Sequence, residues 1–161
     1  RGIDYGYTNP FVCLFGAIDG DGRLYIYDEH YESKRLLAHH AELIKSRGER
    51  AAWTVADHDA QENAEMRRLG IQTMPAQKDV ITGIQKVSAR LAPAGDGKPR
   101  LYVTANCKNL IREFGLYQWQ PSKDGRNDKE EPVKENDHAM DALRYMVMQL
   151  DNNRAPRVWR L

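Results

Sequence analysis

The stretch that most narrows the possible folds is Phe11–Ile18, eight residues that are apolar apart from one glycine. It runs straight into Asp19-Gly20-Asp21-Gly22 and then into the alternating segment Leu24–Tyr31. A continuous apolar run that ends in a glycine-rich turn and resumes with period two is a β-hairpin whose first strand is buried on both faces. The alternation predicts Tyr25, Tyr27 and Tyr31 on one face of the second strand. Ahead of the hairpin, Gly2-Ile3-Asp4-Tyr5-Gly6 reads as a further strand, and Thr8-Asn9-Pro10 turns it into the apolar run. Three antiparallel strands therefore open the chain, with Phe11–Ile18 in the middle.

Beyond the hairpin the rhythm changes. Leu36, Leu37, His40, Leu43 and Ile44 recur at helical spacing, predicting a helix over 34–47 that stops at Gly48. Short apolar strands are expected at 51–56, 71–74 and 101–104. Between them lie a helix capped by Asp59, with Glu62 three residues on, and a helix capped by Asp79 that reaches Leu91. Leu110, Ile111 and Phe114 mark a short helix. The polar stretch 117–134 is expected to be a loop or exposed hairpin, long enough to be suspected of function. The last helix, from Asp137 to Leu150, carries a continuous apolar stripe of Ala139, Ala142, Leu143, Met146, Val147 and Leu150. Antiparallel strands first, then strands alternating with helices, specify an α/β domain with a mixed sheet and helices on both faces. At 161 residues, one domain over 1–151 is expected, followed by a mobile tail over 152–161.

The composition, 41% hydrophobic and 29% charged, is that of a globular protein. No run is long enough to cross a bilayer and the N-terminus does not read as a signal peptide, so a cytosolic molecule without a membrane partner is expected. Cys13 and Cys107 lack ligand spacing and read as buried thiols. The net charge of +1 hides an uneven distribution. Lys34/Arg35, Lys45/Arg47, Arg67/Arg68 and Lys123/Arg126 are basic pairs, whereas acids gather over 128–141, an arrangement suited to phosphates beside bound cations.

Asp4 is a carboxylate inside an apolar strand, where an unpaired charge is costly to bury. Asp57 stands at the carboxyl end of another strand, where open α/β sheets build their crevices. Asp137 and Asp141 lie four apart and project from the same side of the last helix. Converging aspartates of this kind hold Mg2+ or Mn2+, hard cations that favour oxygen ligands, and two such ions can hydrolyse a phosphodiester without a protein nucleophile. No persuasive Ser/His/Asp or Cys/His arrangement competes with this reading. Each acid also has a plain structural role open to it: Asp137 can complement a helix dipole and Asp4 can sit in a salt bridge. At about 100° per residue, Asp141 points nearly opposite the apolar stripe, so it serves a site only where that side of the helix faces a cleft.

The segments Gly2-Ile3-Asp4-Tyr5-Gly6-Tyr7, Ala56-Asp57, Pro75-Ala76-Gln77-Lys78 and Asn136-Asp137-His138-Ala139-Met140-Asp141-Ala142-Leu143-Arg144-Tyr145 resemble, in that order, the nuclease domain of the large terminase subunit of tailed double-stranded DNA bacteriophages. Asn109-Leu110-Ile111-Arg112-Glu113, with Tyr117 and Trp119, is similar to the stretch before that family's exposed hairpin. The terminal His-x-x-Asp-Ala-x-Arg-Tyr is the most specific part.

The resemblance implies an RNase H-like fold and a metal-dependent endonuclease that cleaves concatemeric viral DNA during genome packaging. Carried over by position, Asp4, Asp57 and Asp141 are the catalytic, metal-binding acids. Asp137 is an additional ligand, and His138 lies beside them. Lys78 is expected to contact phosphate, and Lys123, Arg126 and Lys129 to guide the duplex through backbone contacts. Implied partners are double-stranded DNA, the ATPase domain of the parent chain, the portal and the small terminase subunit, in the host cytoplasm at the procapsid. The sequence has no phosphate-binding GK[ST] signature, so it is expected to be an excised C-terminal domain. Two alternatives remain open: a non-catalytic DNA-binding or docking module, and a resolvase- or transposase-type nuclease of the same superfamily.

Overall fold

A computed structural model describes residues 1–119 and 132–152. The elements in chain order are β1 (Gly2–Asp4), β2 (Phe11–Ile18), β3 (Leu24–Glu32), α1 (Leu37–Ser46), β4 (Val55–Ala56), α2 (Ala60–Arg68), β5 (Met74–Pro75), α3 (Val80–Leu91), β6 (Leu101–Val103), α4 (Lys108–Leu116) and α5 (His138–Asn152). The strands form one sheet in the order β5-β4-β1-β2-β3-β6. Strands β1, β2 and β3 pair antiparallel, whereas β4, β5 and β6 each join by parallel pairing. This is the mixed sheet expected from the sequence, and β1 and β2, at its centre, carry the most deeply buried strand residues.

Two cores sandwich the sheet. One face sends Val12, Leu14, Leu24 and Ile26 against Ala139, Leu143, Met146 and Val147 of α5, with Val87 of α3 and Leu110 of α4 at the sides. The other face sends Ile3, Phe11, Cys13 and Phe15 against Ala41 and Ile44 of α1 and Met66 of α2. Burying side chains of this size contributes about 1.5–3 kcal/mol each, so α5, which is buried along nearly its whole length, is the principal anchor of its face. It comes down directly on β1. A Cβ built on Gly2 would lie 2.4 Å from the Ala142 carbonyl and 2.3 Å from the Met146 side chain, so only glycine admits this approach. Both cysteines are free and buried, as expected.

The structure corrects several expectations. The tyrosines of β3 do not share a face: Phe15 pairs with Asp28 but Gly16 with Ile26, so Tyr27 is an extra residue in the ladder. That bulge inverts the alternation, and Tyr31 packs into the α5 core while Tyr27 packs into the α1 core. Helix α1 starts at Leu37 because Lys34 adopts a left-handed φ of 60° and its N–H donates to the Tyr7 carbonyl. Strand β4 is limited to Val55–Ala56, which pair with Gly2 and Ile3 of β1. Ile71, expected in a strand, is instead buried beside α2, and the strand pairing falls on Met74–Pro75.

Other expectations hold. Asp59 and Asp79 cap α2 and α3 through the N–H groups of Glu62 and Thr82. The described ends of the polar stretch pair through Trp119 and Pro132, as in a hairpin. The interior of that stretch lies outside the described residues, as does the expected tail over 152–161 apart from Asn152, which ends α5.

Candidate active site

Asp4 closes β1 between β4 and β2 and is 6% exposed. Its Oδ2 accepts from His138 Nδ1 at 3.0 Å. Burial pushes the Asp4 carboxyl up to about 6, an effect opposed by the His138 hydrogen bond and reinforced by the negative charges of Asp141 and Asp57. Carboxylates from β1, the end of β4 and the first turn of α5 thus act on one another at one end of the sheet.

Asp57 is placed by the ladder itself, since its N–H donates to the Ile3 carbonyl at 3.0 Å, next door to Asp4. Its Oδ1 lies 2.7 Å from Lys78 Nζ and 2.7 Å from His58 Nδ1. Burial would raise the Asp57 carboxyl, but Lys78 and His58 together hold it below the usual range. Asp141 pairs with the guanidinium of Arg144 at 2.6 Å. Arg144 is 4% exposed and leaves Nε and one terminal nitrogen without a hydrogen-bond partner.

The orientation problem of Asp141 is resolved by the start of α3 and the segment just before α5. The apolar stripe is covered by the sheet, and the acidic side, instead of meeting bulk water, opens on a cleft of about 360 Å³. Lys78, Lys134, Asp137, Asp141, Arg144 and Tyr145 are among its lining residues. Asp137 immediately precedes α5, and its carbonyl accepts the Asp141 N–H at 2.7 Å. Burial and the Asp141 charge push the Asp137 carboxyl upward.

The structure therefore gathers Asp4, Asp57, Asp137, Asp141, His138 and Lys78 in one neighbourhood. Lys78 contacts Asp57 directly, a partner not anticipated from the sequence. Lys123, Arg126 and Lys129 fall outside the described residues. The acids are not drawn into a tight cage. Among the described residues, the one set of three His, Cys, Asp or Glu ligand atoms within 4.8 Å of one another is His30, Glu32 and His40, on the other sheet face. Around Asp4 the carboxylates of Asp4, Asp57 and Asp141 are instead each held by a basic side chain.

Two acids at this end of the molecule were not read from the sequence as site residues. Glu113, fully buried on α4, accepts from the Tyr31 hydroxyl at 2.8 Å and from the N–H groups of Ala139 and Met140 at 2.6 and 3.1 Å. It caps α5 from outside that helix and so fixes the turn bearing His138 and Asp141. The available signal was an acid on the apolar side of a short helix, beside Leu110 and Phe114. Glu62 is the second. Its N–H completes the Asp59 cap, while burial and the charges of Asp59, Asp57 and Asp4 push its carboxyl upward.

The donor set fits divalent cations of the Mg2+ and Mn2+ type. It consists of oxygen ligands, and burial together with the neighbouring carboxylates pushes the Asp4 and Asp137 protonation equilibria upward, a cost that a cation would relieve.

Comparison with known families decides the lineage. The model of the terminase RNase H-like domain matches residues 4–149. The chain belongs to this family. No curated protein sequence matches this terminase domain. Among solved structures it is similar to the large terminase of a thermophilic bacteriophage in complex with ATP-gamma-S, with 26% identity and a TM-score of 0.78 over 91% of this chain. The terminase domain spans 38% of that relative's length. The P22 large terminase nuclease domain shares the fold at 21% identity and a TM-score of 0.74, over 91% of this chain and 78% of that one. The nuclease domain of the SPP1 large terminase, solved with bound Mn, does so at 22% identity and a TM-score of 0.70, over 89% of this chain and 81% of that one. The RNase H-like architecture and the terminase lineage read from the sequence are thereby established.

Proposed function

We propose that this terminase domain is a divalent-metal-dependent endonuclease that cuts double-stranded, concatemeric viral DNA during genome packaging. The observation that carries the proposal is the placement of Asp4, Asp57 and Asp141 from three separate elements at one end of the sheet, Asp57 by its N–H bond to the Ile3 carbonyl and the first turn of α5 by the His138 bond to Asp4. The SPP1 relative, described with bound Mn, supports the use of a divalent cation.

In this reading Asp4, Asp57 and Asp141 would hold two Mg2+ or Mn2+ ions, with Asp137 as a further oxygen ligand. Bound there, the ions would supply an activated water and charge neutralisation at the scissile phosphate and at the departing 3′ oxygen. The protein's part is to aim and to exchange partners. His138 donates to Asp4 and fixes its carboxylate, and Glu113 fixes the turn that presents His138 and Asp141. Lys78 and Arg144 neutralise Asp57 and Asp141 in the metal-free state. With Asp57 engaged by a metal, Lys78 would be free to meet a DNA phosphate in the cleft that it lines. Lys123, Arg126 and Lys129 would extend that basic track along the duplex.

The one domain over 1–151 would act beside an ATPase domain of the same parent chain, with the portal and small terminase subunit as partners, at the procapsid in the host cytoplasm. The alternative of a non-catalytic DNA-docking module draws on the ion pairs Lys78–Asp57 and Arg144–Asp141, which could be permanent. Plasmid cleavage separates the two. Linearisation with Mn2+ or Mg2+, abolished by EDTA and by Asp57→Ala, is expected. Salt-sensitive DNA binding with no cutting under either metal would establish the docking module instead.

A further inference from the structure

On the sheet face opposite Asp4, the end of β3 meets the start of α1 in a cluster of three histidines and a carboxylate. His30 and Glu32 share a face of β3, two residues apart, and the bulge at Tyr27 is what turns that face toward α1. His30 Nε2 lies 2.8 Å from His40 Nδ1. One ligand atom from each of His30, Glu32 and His40 falls within 4.8 Å of the others. His39 Nε2 is 3.0 Å from Glu32 Oε2, while Arg35 holds the other carboxylate oxygen at 2.8 Å.

His40 is the telling member. It is 0% exposed, and its ring stacks on Phe11 with centroids 4.0 Å apart and planes 5° from parallel. That stack would accept an apolar ring equally well. The histidine instead buries its Nε2 without a well-formed hydrogen bond, only the Arg35 backbone acting on the ring, and turns its Nδ1 toward His30. Its polar side-chain interaction is made with His30, and two facing imidazole nitrogens can share only one proton.

We infer that His30 Nε2, His40 Nδ1 and the Glu32 carboxylate form a binding site for a transition-metal cation of the Zn2+ class, with His39 poised to supply a fourth ligand. Imidazole nitrogen with one carboxylate suits Zn2+, whereas Mg2+ prefers an all-oxygen set. Tetrahedral coordination at Zn–N distances of ~2.0–2.1 Å implies nitrogens ~3.3 Å apart, so the two rings need to separate by only about half an ångström from where they stand. Since β3 and α1 each contribute ligands, the ion would pin the helix to the sheet. The site shares no residue with the acids around Asp4 and does not depend on the nuclease reading.

The test loads the full chain with ZnCl2 in excess Mg2+, which occupies the oxygen ligands, then removes free metal and measures zinc content and thermal unfolding. One retained Zn2+ per chain and a raised Tm are expected. His30→Gln and Glu32→Gln should each weaken retention by at least the roughly 10–100-fold that loss of even an outer partner costs, whereas Asp57→Ala should keep the ion. The unmodified chain loaded with Co2+ should show the intense visible bands of tetrahedral cobalt, a readout that needs no variant to fold. Failure to retain zinc, retention untouched by both ligand variants, loss on Asp57→Ala alone, or the absence of the tetrahedral bands would overturn the assignment.

Discussion

Asp4 shows at the residue scale how a site can be assembled against the stability of the fold. Its carboxyl is buried, close to two other carboxylates, and pushed up to about 6, so ionising it at neutral pH opposes folding until a cation arrives. Asp4→Asn should therefore stabilise the metal-free domain at pH 7.5, on the order of 2 kcal/mol, while abolishing cleavage. Denaturant unfolding in EDTA checks the first effect, and equal or lower stability of the variant would contradict it. Lys78 makes a different residue-level prediction. If it exchanges Asp57 for a phosphate, Lys78→Ala should lower the slope of log K against log salt for DNA binding by ~0.9, measurable by fluorescence anisotropy. Asp4 and Asp57 were legible in the sequence because a charge inside or just after an apolar strand is anomalous on its face. Lys78's contact with Asp57 was not, because it depends on β4 and β5 lying side by side, a pairing of two residues each that leaves almost no local pattern.

Helix α5 shows, at the scale of elements, how far periodicity reaches. Its stripe and extent were readable from spacing alone, yet the same stripe argued that Asp141 faces solvent. Helical periodicity reports which side meets the sheet and says nothing of what stands across the other side. Here the start of α3 and the segment carrying Pro132 and Lys134 stand beside α5 and turn its acidic side into a cleft wall. The turn that carries the site is fixed by Glu113 from a neighbouring helix, an interaction between residues 26 positions apart that no local rule foretells. Glu113→Gln removes the charge from a buried cap and replaces one acceptor oxygen with a donor. It should cost about 1–3 kcal/mol and weaken metal-dependent cleavage even where the fold survives, as thermal unfolding and a Mn2+ titration of activity would show. The β3 bulge is a comparable case. Simple alternation placed the tyrosines together, and one inserted residue sends Tyr31 to Glu113 and His30 and Glu32 to α1.

For the whole molecule, the pattern of strands and helices specified the mixed sheet with helices on both faces, and the order of motifs specified the lineage. Convergence of the acids could only be anticipated, because it is a property of the assembled sheet. It has a global consequence in pH dependence. Asp4 and His138 both have folded-state pKa values above their ordinary ones, Asp4 chiefly through burial and His138 chiefly through its bond to Asp4. Groups raised in this way contribute stability that is present below their unfolded values and lost as pH rises through the folded ones. The pair should therefore make metal-free stability fall from about pH 4 through neutrality, a trend expected to flatten in Asp4→Asn and with saturating Mg2+. The central claim is that these carboxylates jointly hold the cations. Anomalous diffraction from Mn2+-loaded crystals tests it most directly. Two manganese peaks ~3.5–4 Å apart, bounded by Asp4, Asp57 and Asp141, are predicted; manganese bound elsewhere, or no manganese at those side chains, would contradict the account.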